Sequence, residues 1–124
     1  TNELEGTTIL VTAGGTQESI DPVRYIGNRS SGKMGYAIAE QAVRMGAKVI
    51  LVSAPTSLPI PSGVDFISVD SAVSMQEAVE ARYNDVNVVI MAAAVSDFRV
   101  LHKAEQKIKK MESMTIELVK NPAK

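Results

Sequence analysis

The sequence predicts an α/β protein with a Rossmann-like, doubly wound, mostly parallel sheet and helices on both of its faces. Three observations predict this fold. Apolar runs and segments of helical periodicity follow one another as strand, helix, strand, strand, helix, strand, strand. The run at residues 86–95 is almost wholly apolar, as a central parallel strand buried on both faces should be. Glycine and small polar residues follow the strands, at the end of the sheet where such folds bind ligands.

The first predicted strand covers residues 7–12, a short stretch rich in β-branched side chains. Gly14 and Gly15 follow and end it. The loop that follows has about twenty residues, whereas most strand-to-helix loops have about four. It contains two Arg, an Asn, two Ser and several Gly. We therefore interpret this stretch as a binding loop that wraps around an anionic ligand.

The first predicted helix covers residues 33–45, where apolar side chains recur at helical spacing. Ser30 or Ser31 is expected to cap its N-terminus, because a serine hydroxyl accepts a hydrogen bond from an unpaired N–H of the first turn. Gly46 is suited to the C-terminal end, where a residue with positive φ is common.

The remainder of the chain is predicted to supply four more strands, one helix and a lysine-rich connection. The strands are predicted at residues 47–52, 64–69 and 86–95, and a weaker final strand is predicted at 114–119. The second helix is expected to begin at Asp70 or Ser71, with Ser74 and Glu77 as an alternative capping box.

Composition limits the classes of function. A chain of 124 residues predicts one domain, and a net charge of -1 provides no basic field for nucleic acid. With no Cys and one His, disulfides, Cys-based metal sites and a His cluster are excluded. No apolar run reaches the roughly 18 residues of a membrane span and no signal-peptide pattern is present, so we expect a cytoplasmic protein.

Residues 27–33 match the first seven positions of a P-loop, but Met34 stands where Ser or Thr would hold magnesium. The match also begins well after its strand, so it does not predict a genuine P-loop. A weaker interpretation is that Ser30, Ser31 and Gly32 lead into a helix N-terminus that favours phosphate. The alternative for these three residues is a plain helix cap.

A dinucleotide-binding domain is the natural rival interpretation. The residues after the first strand, Gly14-Gly15-Thr16, do not provide the G-x-G-x-x-G pattern. The second strand is followed by Ser53, Ala54 and Pro55, without the acidic residue that binds ribose hydroxyls. Both absences count against NAD.

Charged residues elsewhere allow two interpretations each. Asp97 either caps a loop or contacts the base, sugar or metal of a nucleotide; since strand ends meet at one edge, we expect it at the same rim as the long loop. Arg24 and Arg29 either pair with Glu18 or Asp21, or bind a phosphate or carboxylate. A basic cluster is either a solvated loop or a flap that brings charge to phosphates; its members are Arg99, Lys103, Lys107, Lys109 and Lys110.

Five motifs occur in a fixed order. They are V-T-A-G-G-T at 11–16, D-P-V-R-Y at 21–25, N-R-S-S-G-K-M-G at 28–35, A-A-A-V-S-D at 92–97 and K-I-K-K at 107–110. Together they closely resemble phosphopantothenoylcysteine synthetase of the bacterial, CTP-dependent type. The resemblance covers residues 6–122. In many bacteria this domain is the C-terminal half of a bifunctional coenzyme A biosynthesis protein.

The resemblance implies a ligase that joins 4′-phosphopantothenate to L-cysteine through an acyl-cytidylate made from CTP, with Mg²⁺ or a similar divalent cation. By resemblance, Asn28 contacts the acyl-cytidylate and Arg24 supports the same loop. The cytidine is held by Asp97 and by backbone groups of Met91, Ala92 and Ala93. Lys107 contacts the nucleotide, and no metal ligand is assigned.

The resemblance also implies a homodimer and, upstream, a flavin-dependent decarboxylase domain, so FMN is not expected in this domain. Family members continue past the Asn-Pro pair at residues 121–122 with a further nucleotide-binding segment, and an acidic residue is usual where this chain has Ala123. We therefore expect residues 1–124 to be a single nucleotide-binding ligase domain that lacks its C-terminal part. The alternative is a catalytically silent nucleotide-binding module.

Overall fold

The computed structural model describes residues 3–27, 30–95, 98–100 and 118–120. In chain order its elements are β1 (Thr8–Ala13), β2 (Gln17–Ser19), β3 (Tyr25–Gly27), α1 (Lys33–Arg44), β4 (Lys48–Ser53), β5 (Val64–Ser68), α2 (Ala72–Glu80), a 3₁₀ turn (Tyr83–Asp85), β6 (Val88–Met91), β7 (Phe98–Val100) and β8 (Leu118–Lys120). Four of these strands form a parallel sheet in the order β5-β4-β1-β6. From β1 the chain adds β4 and then β5 on one side, and it then returns to add β6 on the other side of β1. The switch point of this doubly wound fold lies between β1 and β6.

The helices cover opposite faces of the sheet, as predicted. Alternate residues of β1 point to opposite sides, so Val11 packs with Tyr36 and Ala39 of α1, whereas Leu10 packs with Met75 of α2. The central strands β1 and β4 are almost fully buried. This arrangement confirms the predicted Rossmann-like α/β fold.

The long loop after β1 contains a β-hairpin that the sequence does not predict. Strands β2 and β3 pair antiparallel, with Glu18 opposite Ile26. Each strand has three residues, which is too short to produce a recognisable alternating pattern. The hairpin gives a fixed shape to a stretch expected to be irregular.

Two of the later strands also differ from the prediction. The ten-residue strand expected at 86–95 is regular only over Val88–Met91, and an isolated parallel bridge joins Ala94 to Gly15. Within the described residues this strand lies at the sheet edge, with Val88 42% and Met91 48% exposed. An apolar run therefore does not by itself establish a strand buried on both faces. Strand β8 pairs antiparallel with β7 in a separate ribbon, and the remainder of the expected strand, 114–117, lies outside the described residues.

The helix ends confirm some of the predicted caps and contradict others. Gly46 has φ 92, and together with Ala47 it closes α1 by donating to the carbonyls of Val43 and Ala42, both at 3.0 Å. The N-cap position of α1 is Gly32, with φ 81 and no side-chain cap of its own, so neither predicted serine occupies that position. The Ser31 hydroxyl nevertheless accepts from the N–H of Lys33, the first residue of the helix, at 3.3 Å.

Helix α2 is capped by Ser71. Its hydroxyl accepts from the N–H of Ser74 at 3.1 Å, and the Ser74 hydroxyl accepts from the N–H of Ser71 at 3.0 Å. This reciprocal pair is a capping box formed by two serines, in place of the Ser74–Glu77 box. Within the described ranges, neither helix is long and apolar enough to cross a membrane.

Replacing Ser71 by alanine should lower the free energy of unfolding by about 1 kcal/mol, because the N–H of Ser74 loses its acceptor. Urea unfolding followed by circular dichroism measures the change. The matched control is Ser62→Ala, since Ser62 lies exposed in the proline-containing loop and should leave the midpoint unchanged. Equal midpoints for both variants would contradict the assigned role of the cap.

Candidate active site

The end of β1 and the segment after β6 are joined by backbone hydrogen bonds beyond both strands. The N–H of Ala94 donates to the carbonyl oxygen of Gly14 at 2.8 Å, and the N–H of Thr16 donates to the carbonyl of Ala94 at 3.0 Å. The N–H of Ala92 bonds the Thr12 carbonyl at 3.1 Å. These bonds bring the glycine turn at 14–15 and the backbone of residues 92–94 together at the switch point. We call this edge the rim.

The N-terminus of α1 lies against the rim, and two glycines allow this approach. A Cβ atom on Gly32 would lie 3.6 Å from the backbone nitrogen of Gly14 and 2.8 Å from Cγ2 of Thr56. A Cβ atom on Gly35, in the first turn of α1, would lie 2.5 Å from the Cβ of Ala13. No side chain fits at these contacts, so the helix start sits directly on the end of β1.

Ser30 is half-buried and Ser31 is exposed beside this helix start. The Ser31 hydroxyl accepts a 3.3 Å hydrogen bond from the N–H of Lys33. The first turn of a helix presents backbone N–H groups and the positive end of the helix dipole. The rim is therefore chemically suited to phosphate oxygens.

A chain of hydroxyl groups fills the space at the end of β4. Thr56 donates to the Tyr36 hydroxyl at 3.1 Å, Tyr36 lies 2.8 Å from Oγ of Ser53, and Ser53 donates to the Ala54 carbonyl at 2.7 Å. Tyr36 and Ser53 are both buried. A dinucleotide fold places its ribose-binding carboxylate after this strand, where this chain has hydroxyls that bond to one another.

The turn of the β2–β3 hairpin is ordered by Asp21. This buried carboxylate accepts hydrogen bonds from the backbone N–H groups of Val23 at 2.8 Å and Arg24 at 2.6 Å. Arg24 is half-buried. Both interpretations of Arg24, ion pairing with Glu18 or Asp21 and binding of a ligand's phosphate or carboxylate, stay predictions. Arg29 lies outside the described residues.

The hairpin is also attached to α2, through a residue that the sequence did not single out as functional. Glu18 is 3% exposed, and its Oε2 accepts a 2.9 Å hydrogen bond from the N–H of Ala72. The contact joins residues 54 positions apart. The one available signal in the sequence was an acidic residue in a long loop that consists mainly of small and polar residues.

Several predicted site residues lie outside the described residues: Asn28, Asp97 and Lys107. Their described neighbours in the chain are Gly27, at the end of β3, and Phe98, at the start of β7. Both strands contact β2. The expected proximity of Asn28 and Asp97 stays a prediction.

Met91 and Val95 line an apolar cavity of about 350 Å³ between β6 and α2. The hydroxyl of Thr12 contacts both the sulfur of Met91, at 3.9 Å, and the N–H of Ala93, at 3.3 Å. Among the residues that the structure describes, no three His, Cys, Asp or Glu side chains form a group that could hold a metal ion. The start of α1 beside the rim presents backbone N–H groups, which are suited to phosphate oxygens.

The parallel sheet and the rim at its switch point define a class: a Rossmann-like α/β domain whose candidate site is suited to an anionic ligand. The chain belongs to the family of the DNA/pantothenate metabolism flavoprotein C-terminal domain, whose model matches residues 4–123. This membership confirms the resemblance that the motifs indicated.

Relatives and solved structures agree with the family assignment. The coenzyme A biosynthesis bifunctional protein CoaBC of Vibrio vulnificus (strain YJ016) is 55% identical over 122 residues, which are 96% of this chain and 30% of that protein. The crystal structure of the C-terminal domain of a CoaBC protein is 50% identical, with a TM-score of 0.87 over 99% of this chain and 58% of that one. The crystal structure of the DNA/pantothenate metabolism flavoprotein from Streptococcus pneumoniae is 26% identical, with a TM-score of 0.83. This match covers 94% of this chain and 61% of that one. The chain thus spans about a third of the curated relatives' length.

Proposed function

We propose that this domain takes part in phosphopantothenate–cysteine ligation, the step that joins 4′-phosphopantothenate to L-cysteine at the expense of CTP. One observation carries the proposal: Gly14 accepts a hydrogen bond from the N–H of Ala94, and a Cβ atom on Gly32 would lie only 3.6 Å from the backbone nitrogen of Gly14, so a helix N-terminus lies beside the backbone of residues 92–94. One surface thereby offers donors for phosphate and backbone groups for a base. The reaction itself is the one that the resemblance implies, and it is supported by relatives that are named as proteins of coenzyme A biosynthesis.

The reaction has two steps. A carboxylate oxygen of 4′-phosphopantothenate attacks the α-phosphorus of CTP, and the bond to the leaving pyrophosphate breaks. The neutral amine of cysteine then attacks the acyl carbon, loses a proton, and CMP leaves with the electrons of the carbon–oxygen bond. Both steps build negative charge on phosphate or acyl oxygens, which preorganised N–H groups and cations stabilise.

The residues proposed for these tasks are divided between the two ends of the site. The glycines at 14, 15 and 32, with Ser30 and Ser31, face the triphosphate. The backbone of residues 91–93 and Asp97 hold the cytidine. Arg24 and Asn28 serve the acyl end, where an Asn amide can donate to the acyl oxygen without competing as a nucleophile. Lys107 contacts the nucleotide phosphates.

Magnesium would enter this site with the triphosphate. Mg²⁺ usually keeps several waters and binds through substrate phosphates and one or two carboxylates, so it does not need a dedicated cage of protein ligands. When bound, it supplies charge neutralisation on the phosphates. The N–H groups of the rim would hold the phosphate oxygens that are not bound to the ion.

We propose further that the natural polypeptide acts as a homodimer in the cytoplasm and that an upstream flavin-dependent decarboxylase makes the other half of a bifunctional protein. The support for a bifunctional protein is the name of the relatives, which are bifunctional proteins of coenzyme A biosynthesis. The homodimer and the cytoplasmic location are what the resemblance and the composition imply. Size-exclusion chromatography with light scattering tests the dimer.

The direct test of the function is release of pyrophosphate from CTP by the natural polypeptide. Release should require 4′-phosphopantothenate and Mg²⁺, and added cysteine should convert the product to the amide with release of CMP. A protein that binds CTP but releases no pyrophosphate would instead be the catalytically silent module.

Lys107→Gln should slow pyrophosphate release by about 10- to 100-fold, because one charge-assisted hydrogen bond to phosphate is worth roughly 1.5–3 kcal/mol. Quenched-flow measurement of pyrophosphate isolates this first step. The control is Lys48→Gln, since Lys48 is exposed at the opposite end of β4. Equal rates for both variants would remove Lys107 from the site.

A further inference from the structure

The β2–β3 hairpin is held to the β5–α2 junction at two points. The buried carboxylate of Glu18 accepts from the N–H of Ala72, the first residue of α2, at 2.9 Å. The backbone N–H of Gln17 donates to the carbonyl of Asp70 at 2.6 Å. Both bonds join the hairpin to residues more than fifty positions later in the chain. They therefore help to fix the position of the hairpin.

Helix α2 does not require Glu18 for its cap. The reciprocal pair of Ser71 and Ser74 already forms a capping box at the start of the helix. Burying a carboxylate is costly unless it is bonded, and the helix N-terminus offsets that cost with an N–H donor and a favourable dipole. The distinctive effect of Glu18 is therefore on the hairpin rather than on the helix.

The hairpin carries the acyl end of the proposed site. In the strand register Glu18 lies opposite Ile26, and Ile26 stands two residues after Arg24 and two residues before Asn28. The attachment point therefore lies across the hairpin from the strand that follows Arg24. Gly14 and Gly32, which are proposed to face the triphosphate, lie close to each other, and neither of the two bonds that hold the hairpin involves them.

We infer that Glu18 is a positioning residue that sets the affinity of the site for the acyl substrate without setting its affinity for CTP. This inference rests on the proposed function. A hairpin released from α2 presents Arg24 less accurately, so 4′-phosphopantothenate binds more weakly while the phosphate-binding rim is unchanged.

The test compares Glu18→Ala, Glu18→Gln and Ser71→Ala in the natural polypeptide, with pyrophosphate release measured against both substrates. Glu18→Ala should raise KM for 4′-phosphopantothenate roughly tenfold, the effect of one hydrogen bond to a charged group, and leave KM for CTP within about twofold. Glu18→Gln keeps an oxygen acceptor for Ala72 and should recover most of the loss. Ser71→Ala weakens the same helix end but should keep both KM values.

Hydrogen exchange of residues 17–27 provides a second readout that does not depend on turnover. Exchange should be faster in Glu18→Ala than in Ser71→Ala. Equal KM changes in these two variants, or unchanged KM and exchange in Glu18→Ala, would overturn the inference. If Glu18→Ala does not fold, Glu18→Asp is compared with Ser71→Ala instead, because its shorter side chain keeps the charge but draws the carboxylate away from Ala72. Glu18→Asp should raise KM for 4′-phosphopantothenate alone, and a rise in both KM values together would overturn the inference. If the natural polypeptide itself, without any substitution, releases no pyrophosphate from CTP, the proposed function is wrong.

Discussion

Asn28→Ala is expected to slow amide formation by about 10²- to 10³-fold while the domain remains folded. The Asn amide is proposed to donate to the acyl oxygen, where negative charge develops as the cysteine amine attacks. Removing one such donor typically lowers kcat by about 10²- to 10³-fold. Detection of the amide product by mass spectrometry in single-turnover reactions measures the loss.

The matched control is Asn84→Ala, because Asn84 lies exposed in the 3₁₀ turn after α2. It should retain the rate of the natural protein. Thermal unfolding of both variants shows whether the fold is intact. A natural rate for Asn28→Ala, in a folded protein that makes the amide, would exclude Asn28 from the site.

Gly35→Ala should destabilise the domain by about 3 kcal/mol, which is a large part of the roughly 5–15 kcal/mol that a domain of this kind has. The added Cβ would lie 2.5 Å from the Cβ of Ala13 and 3.1 Å from the backbone oxygen of Thr12. Backbone atoms of a buried strand cannot yield as a flexible side chain can, so α1 must move away from β1. The gain in helix propensity, about 1 kcal/mol, does not offset this clash.

Urea unfolding measures the effect, and Gly6→Ala is the control. Gly6 has φ 85 with nothing within 4 Å of an added Cβ, so only backbone strain of about 1–2 kcal/mol is expected there. A Gly35→Ala variant as stable as Gly6→Ala would mean that α1 and β1 are not packed as closely as described. Because Gly32 and Gly35 belong to the same start of α1, a shift of this helix away from β1 should also weaken CTP binding.

The sequence predicts the fold class because its signals are local. The alternation of apolar strands and amphipathic helices needs only neighbouring residues to be seen, and so does the positive-φ glycine that ends α1. The rim was predictable for a general reason: parallel strands bring their carboxyl ends to one edge, so Gly14 and the backbone near Ala93 had to lie close together.

The family followed from motifs and not from periodicity. The order of the five motifs identified it, although no single motif did, because the P-loop-like stretch ending at Lys33 lacks its magnesium-binding hydroxyl. Residue roles at Asn28, Asp97 and Lys107 come from that resemblance and remain predictions.

Other features arise only when distant residues meet. Strands of three residues have no pattern of their own, so the β2–β3 hairpin appears only through its pairing and its attachment to α2 by Glu18. The unusual cap at Gly32 is set by the closeness of Thr56 and Gly14, which lie far away in the chain. Periodicity records which face of an element is apolar but not how near another backbone comes. The sequence by itself therefore determined the layers and their order, whereas the tertiary structure decided how the binding loop is shaped and which buried carboxylate holds it.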